Sequence, residues 1–235
     1  MPVPVRSLHF ADAREAEDLA AFLARLIHYD RAAAVRLQAH HGALAVFGHP
    51  PSFEVFAIRT ARLGGDPVEP DVTVLDVTVS AGELLESLGG RGGEYGAEFA
   101  VPAAVTGPPW AGVLPPRGGW RELPGLPSVP ALHAAVTAAV AEFRARDEAL
   151  PEQHRTRAER DRIGRDIWSR TVGDTGLPLR AVHAAQSLGF LRPGAPVALL
   201  ATGTETWLRL RTPFGSIAVR TKGLGGLSVT PTRTG

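Results

Sequence analysis

Residues 206–222 read TWLRLRTPFGSIAVRTK. Polar and apolar residues alternate on both sides of a Pro-Phe-Gly turn, a pattern typical of a β-hairpin. With the turn as a four-residue loop, Leu210 lies opposite Ile217. Leu208 lies opposite Val219, so these apolar side chains share one face of the hairpin. A shift of one residue would set polar against apolar side chains throughout, and the pattern therefore specifies the register.

The other face of this hairpin collects an aromatic ring and several cations. Its members are Trp207, Arg209, Arg211, Arg220 and Lys222, with Glu205 opposite Lys222. In one interpretation Trp207 stacks with Arg220, worth about 0.5–1 kcal/mol, and the other cations are solvated. In the other, the ring and the arginines hold a phosphate backbone or an unstacked base. The aromatic ring and the four cations of this face are therefore candidates for binding an anion or nucleic acid: Trp207, Arg209, Arg211, Arg220 and Lys222.

Composition excludes several classes of protein. The chain has 235 residues and no cysteine, which excludes disulfide bonds, thiolate catalysis and cysteine-ligated zinc. No apolar run approaches the roughly 20 residues that a transmembrane helix needs. The opening MPVPVRSLHF lacks the apolar core of a signal peptide. We therefore expect a cytoplasmic protein with no membrane segment.

Charge is distributed unevenly along the chain. Residues 1–105 hold eight basic and fourteen acidic side chains, a net charge of −6, whereas residues 106–235 hold seventeen basic and ten acidic ones, a net charge of +7. Such asymmetry favours an anionic partner for the basic half. It is equally consistent with attraction between the two halves, within one chain or between the chains of a homo-oligomer.

The N-terminal part, residues 1–105, reads as an antiparallel sheet with one or two helices. After a short strand ending at Phe10, Asp12 and Glu15 form a capping-box pattern at the start of a helix. Ser80 opens a second helix in the same way. Between these helices, β-branched and aromatic runs separated by short turns predict an antiparallel meander. The four predicted strands are 35–39, 43–47, 53–61 and 72–79.

The remainder divides into a proline-rich crossover, residues 106–130, and a basic helical region with a terminal hairpin, residues 131–235. Within the crossover, WAGVL (110–114) and WREL (120–123) flank a turn and predict a small hairpin. The helices are predicted at 131–149, 152–170 and 178–188, and a strand at 196–201 precedes the opening hairpin. The whole chain is therefore predicted to be an α+β protein.

The second of these helices is highly charged. Most of its charge can be satisfied within the helix by i, i+4 ion pairs, so a solvated face explains the pattern at least as well as a phosphate-binding one. The expected pairs are Arg162–Asp166, Asp161–Arg165 and Asp166–Arg170.

The order of helices, strand and hairpin over residues 131–235 loosely resembles a winged helix. That resemblance implies DNA binding, with helix 178–188 as the recognition helix and SLGFLRPG (187–194) leading to the wing. The residues that this helix would offer to base edges are Arg180, His183, Gln186 and Ser187. Separately, PPRGGW (115–120) and GLPLRAVHAAQSLGFL (176–191) resemble conserved uncharacterised proteins of GC-rich bacteria, a resemblance that implies no activity.

Histidines at the ends of the N-terminal elements are the remaining candidates for chemistry. If the turns converge, His28, His40, His41 and His49 could bind zinc or act in acid–base catalysis. Their spacing matches no metal-binding motif, so neither a metal nor another cofactor is predicted.

Together these features predict a non-catalytic binding or regulatory protein whose basic half contacts an anionic partner. Nucleic acid is the first candidate, and an acidic protein surface, including the N-terminal half of a second copy, is the second. The alternative is an enzyme acting on a small molecule near the histidine-containing turns, with the glycine-rich loop 89–96 as a lid.

Overall fold

A computed structural model describes residues 7–64, 75–89, 98–203 and 206–221. Within these ranges the fold is α+β, as predicted, with five α-helices and ten β-strands. The helices are α1 (Ala13–Tyr29), α2 (Ala81–Leu88), α3 (Val129–Glu148), α4 (Arg157–Trp168) and α5 (Leu179–Ser187). The strands are β1 (Ser7–His9), β2 (Ala34–His40), β3 (Ala43–Gly48), β4 (Phe56–Arg62), β5 (Leu75–Ser80), β6 (Glu98–Ala100), β7 (Trp120–Leu123), β8 (Ala198–Thr202), β9 (Trp207–Thr212) and β10 (Gly215–Arg220).

Side-chain caps begin three of the helices. The Asp12 carboxylate accepts a hydrogen bond from the backbone N–H of Glu15 at 3.2 Å, which confirms the predicted start of α1. Ser80 caps α2 in the same way, as predicted. The charged helix α4 begins later than predicted because Thr156 is its cap, and residues 152–154 form a separate 3-10 turn.

Eight of the strands form one antiparallel sheet in the order β5-β2-β3-β4-β10-β9-β8-β7. The predicted meander is correct for β2, β3 and β4 but wrong for β5, which returns to pair with β2, Val79 opposite Val35. This leaves the outer edge of β4 to pair with β10, Ile58 opposite Ser216. Strands from both halves of the chain therefore belong to a single sheet.

The hairpin of β9 and β10 has the predicted register, with Leu210 opposite Ile217 and Leu208 opposite Val219. Its position in the sheet is not that of a wing, because β4 and β8 flank it on either side. Helix α5 is not an exposed recognition helix either, since most of its residues pack into the main core. The winged-helix expectation is therefore corrected: the last hairpin lies inside a long sheet.

The two faces of the sheet are covered differently. The helices pack against one face and form the main core with residues such as Leu208 and Val219. The opposite face carries a smaller apolar cluster, and the crossover packs against it. Its buried members are Phe47, Ile58, Trp207 and Ala218, with Trp110, Leu114 and Trp120 from the crossover packed against them.

The crossover does not form the predicted small hairpin. Residues 109–112 form a 3-10 turn, and β7 pairs with β8 at the edge of the main sheet. An isolated two-stranded hairpin is only marginally stable in water. Pairing with the backbone edge of β8 therefore stabilises β7 more than the predicted hairpin would. The crossover is thereby held over the sheet face that the helices leave open.

Some predictions fall outside the described residues: those for Lys222, Glu205, the first residues of the N-terminal strand and all but the first residue of loop 89–96. In the ranges that the structure does describe, no helix combines the length and apolarity needed to cross a membrane.

Candidate anion-binding groove

Strand β9 presents Trp207, Arg209 and Arg211 on the sheet face opposite the helices, because every second residue of a strand shares a face. Trp207 is only 5% exposed, which corrects the expectation that it faces solvent. The crossover aromatics cover it, and the Arg220 guanidinium lies 5.6 Å from the centre of its ring. Arg220 therefore lies over the Trp207 ring, in agreement with the first of the two interpretations.

Arg209 is in a different situation: it is half-buried, and no acidic residue in the described part of the chain pairs with it. Its guanidinium carbon lies 5.8 Å from the centre of the Trp120 ring. Its Nε is buried and finds no hydrogen-bond acceptor among the described residues. Burial, with a smaller effect of the neighbouring Arg211 charge, lowers the pKa of Arg209 below its ordinary value. An unpaired cation at a partly desolvated site is costly, so Arg209 is a strong candidate for contacting an anion.

A groove of about 290 Å³ lies beside Arg209 on this open face. The crossover forms one wall through Pro115, Pro116 and Arg117, and the ends of β2, β3 and β4 form the floor. None of the described residues that line it is acidic. The Nε of Arg117 donates to Oε1 of Gln38 at 3.3 Å, which holds this second cation at the rim.

His40 also lines the groove. Its Nδ1 is buried and lacks a hydrogen-bond partner within the described part of the chain. The adjacent His41 lies against it, with 3.7 Å between the two ring centres. The structure thus brings together two residues that the sequence placed in unrelated sites, Arg209 and His40. It adds Arg117, whose place over the sheet depends on the path of the crossover and has no local signal in the sequence.

The four candidate histidines do not converge. His40 and His41 lie at one end of β3, and His49 follows its other end, roughly 20 Å away for a strand of this length. His28 lies in the last turn of α1. No group of three or more potential metal ligands exists in the ranges described. The condition on which the histidine alternative depended, that these turns converge, is therefore not met among the described residues.

His49 instead packs among aromatic rings. It stacks on Trp110 with 5.8 Å between the ring centres, and Phe56 contacts its edge. Burial lowers the pKa of His49, so the imidazole is neutral at physiological pH. His49 and Asp30 both line a separate cleft of about 530 Å³.

The charges of α4 are satisfied mainly across the helix pair α3–α4. Of the predicted pairs, Asp166–Arg170 is confirmed at 3.2 Å. Arg162 instead pairs with Glu159, because Asp166 is also held by Arg146 of α3. Hydrogen bonds from these arginines lower the pKa of both Glu159 and Asp166. The arginines of α4 therefore contribute less free positive charge than their number indicates.

Comparison with known proteins divides the chain at the crossover. Residues 3–112 match the family described as Domain of unknown function (DUF8010), and residues 115–224 match the family described as Domain of unknown function (DUF8185). No curated protein matches the chain. The prediction of an uncharacterised family is confirmed at this level: the chain joins a half similar to DUF8010 to a half similar to DUF8185.

Proposed function

We propose that the protein is a non-catalytic binding protein whose open-face groove receives an anionic group of its partner. The observation that carries this proposal is Arg209, a half-buried guanidinium whose Nε has no acceptor, and whose groove has no acidic lining, among the residues that the structure describes. A phosphate or carboxylate in the groove would instead accept hydrogen bonds from the Nη atoms of this guanidinium and supply the counter-charge that it lacks. It would also offset the repulsion from Arg211, and charge-assisted hydrogen bonds of this kind are about twice as strong as neutral ones.

Nucleic acid is the first candidate partner, and an acidic protein surface is the second. Arg211 and Arg220 extend the positive charge beyond the groove, and both are exposed. Because crossover rings and arginines cover Trp207, phosphate contacts rather than base stacking would dominate. This arrangement favours binding with little sequence preference and strong salt dependence.

Ion pairs inside the molecule do little to neutralise the charge asymmetry between the halves. Among the described residues, one ion pair joins them, Arg192 to Asp18 at 3.5 Å. Most other N-terminal carboxylates with partners use arginines of their own half, such as Arg36 with Asp76. Within the described ranges, N-terminal carboxylates therefore offset little of the surplus positive charge of the C-terminal half, which supports its availability to a partner.

The test is a titration of labelled single- and double-stranded DNA and RNA at two salt concentrations, comparing the native protein with Arg209→Gln. We expect affinity to fall by about one decade per decade of salt for each phosphate contact, and Arg209→Gln to reduce that slope by about one. Arg144→Gln removes the same charge from an exposed site on α3 and is the matched control. Nucleic-acid recognition by this groove would be refuted if the native protein does not bind, or if Arg209→Gln and Arg144→Gln bind equally well.

A further inference from the structure

A second cleft, of about 700 Å³, lies between α4, α5 and the turn at residues 51–54. It is on the helix-covered side of the sheet and shares no lining residue with the open-face groove. Its charged lining residues are Arg157, Arg160, Arg165 and Arg180, with the acids Glu54 and Asp161.

Two of these arginines are neutralised and two are not. Nε of Arg160 lies 2.8 Å from Oδ1 of Asp147, and Arg157 lies 3.9 Å from Asp161. Arg165 and Arg180 have no ion pair or hydrogen bond to any residue in the described ranges. Arg180 is half-buried, and its Nε is shielded from solvent with no acceptor among the described residues. Judged by the described residues, the cleft therefore contains two unpaired guanidinium groups, one of them partly desolvated.

The floor of the cleft is apolar and aromatic. Gly164, inside α4, lies between Phe143 and Trp168: a Cβ at this position would be 3.8 Å from the first and 3.7 Å from the second. Glycine weakens a helix interior relative to alanine, and here it leaves the space over its Cα, beside both rings, unoccupied by a side chain. A planar group could enter that space against the exposed part of either ring.

His183 supports this floor without adding charge to it. Its ring stacks on Trp168 with 4.4 Å between centres and an interplanar angle of 20°. Burial lowers the pKa of His183, which keeps the imidazole neutral at physiological pH. The positive charge in the cleft therefore comes from its arginines alone.

We propose that this cleft binds a phosphate ester that carries a planar aromatic group, the chemistry of a mononucleotide. The phosphate contacts Arg165 and Arg180, and the planar group packs at Phe143 and Trp168 over Gly164. The volume suits a ligand of this size, since small-molecule sites typically measure about 300–1,000 Å³. The free guanidinium groups supply the charge, and the rings supply the apolar surface that an inorganic anion would not use.

Isothermal titration calorimetry of the full chain with AMP, adenosine and ribose 5-phosphate tests the proposal. We expect AMP to bind about tenfold more tightly than either part alone, because phosphate and base contribute separately. Arg165→Gln and Arg180→Gln should each weaken AMP binding by about tenfold, while Arg144→Gln leaves it unchanged. Gly164→Leu, which fills the apolar floor and keeps every charge, should abolish the advantage of AMP over ribose 5-phosphate.

Three results would overturn the proposal: no AMP binding to the native chain, equal affinity for AMP and ribose 5-phosphate, or unchanged binding in both arginine variants. Circular dichroism of each variant establishes that it is folded. Because the open-face groove is itself proposed to bind anions, the AMP titration is repeated with Arg209→Gln, in which the groove has lost its guanidinium and the remaining binding is that of the cleft. The second cleft and the groove are thus tested independently, and either can fail alone.

Discussion

Gly215 occupies a point in the hairpin turn where a side chain has no space. Its φ of +151° lies in a region that residues with a Cβ rarely adopt. A Cβ built there would lie 2.5 Å from the ring of Phe190, which packs in the main core. The Thr212 hydroxyl donates to the Gly215 carbonyl at 3.1 Å and fixes the turn in this shape.

Gly215→Ala should therefore destabilise the protein by about 2–5 kcal/mol, from backbone strain of about 1–2 kcal/mol and overpacking of about 1–3 kcal/mol. Urea unfolding followed by circular dichroism measures the change. Gly194→Ala is the matched control, because Gly194 also has a positive φ, +74°, but nothing within 4 Å of its Cβ position. If Gly215→Ala and Gly194→Ala lose the same free energy of unfolding, the contact with Phe190 contributes nothing to the loss.

At the scale of secondary-structure elements, Asp18 joins helix α1 to the hairpin. Its Oδ2 lies 2.9 Å from Nη2 of Arg59, which is only 6% exposed, and its Oδ1 lies 3.5 Å from Nη2 of Arg192. Arg59 also donates to the Pro213 carbonyl in the hairpin turn, at 3.5 Å. The Arg192 guanidinium lies 3.8 Å from the centre of the Phe214 ring. One carboxylate thus connects elements from both ends of the chain.

Asp18→Asn should cost about 1–3 kcal/mol of unfolding free energy, because it leaves the buried Arg59 without its counter-charge. The matched control is Asp12→Asn, which removes an exposed ion pair to Arg62 and retains a good N-cap residue for α1. We expect that control to lose no more than about 1 kcal/mol. Equal losses in denaturant unfolding would show that burial of Arg59 is unimportant.

The sequence predicts the elements that depend on neighbouring residues. Asp12 and Ser80 cap their helices as expected, and the alternation around residues 212–215 gives the correct register of β9 and β10. It does not predict features that depend on distant contacts. Trp207 is buried because the crossover packs over it. The edge of β4 pairs with β10, from the other end of the chain, and β5 pairs with β2 instead.

The candidate groove shows the same limit. Arg209 and His40 were identified from charge and residue type, but their proximity results from pairing between strands far apart in the sequence. No sequence pattern indicates that Arg117 belongs to the groove, because its position over the sheet depends on the packing of Trp110 and Trp120 against the opposite strands.

At the scale of the whole molecule, the two family matches divide a sheet that is continuous. The matches separate between residues 112 and 115, yet β4 from the first half is hydrogen-bonded to β10 from the second. Either half alone would expose a strand edge and part of the main core.

We therefore expect fragments 1–113 and 114–235 to be unfolded or aggregated when expressed separately, and to form a folded complex when expressed together. Size-exclusion chromatography and circular dichroism distinguish these outcomes. The intact chain, expressed in parallel, is the control. Two fragments that each fold and remain monomeric would contradict an obligatory shared sheet.

The open-face groove takes its lining from both halves: His40 and Gln38 from one, and Arg117 and Arg209 from the other. Any molecule that binds there binds only the assembled form, so its binding free energy adds to the stability of the fold. By thermodynamic linkage, a ligand at 100 times its Kd would add about 2.7 kcal/mol. The melting temperature of the intact chain is thus a reporter by which a library of anions can be screened without knowing the ligand in advance.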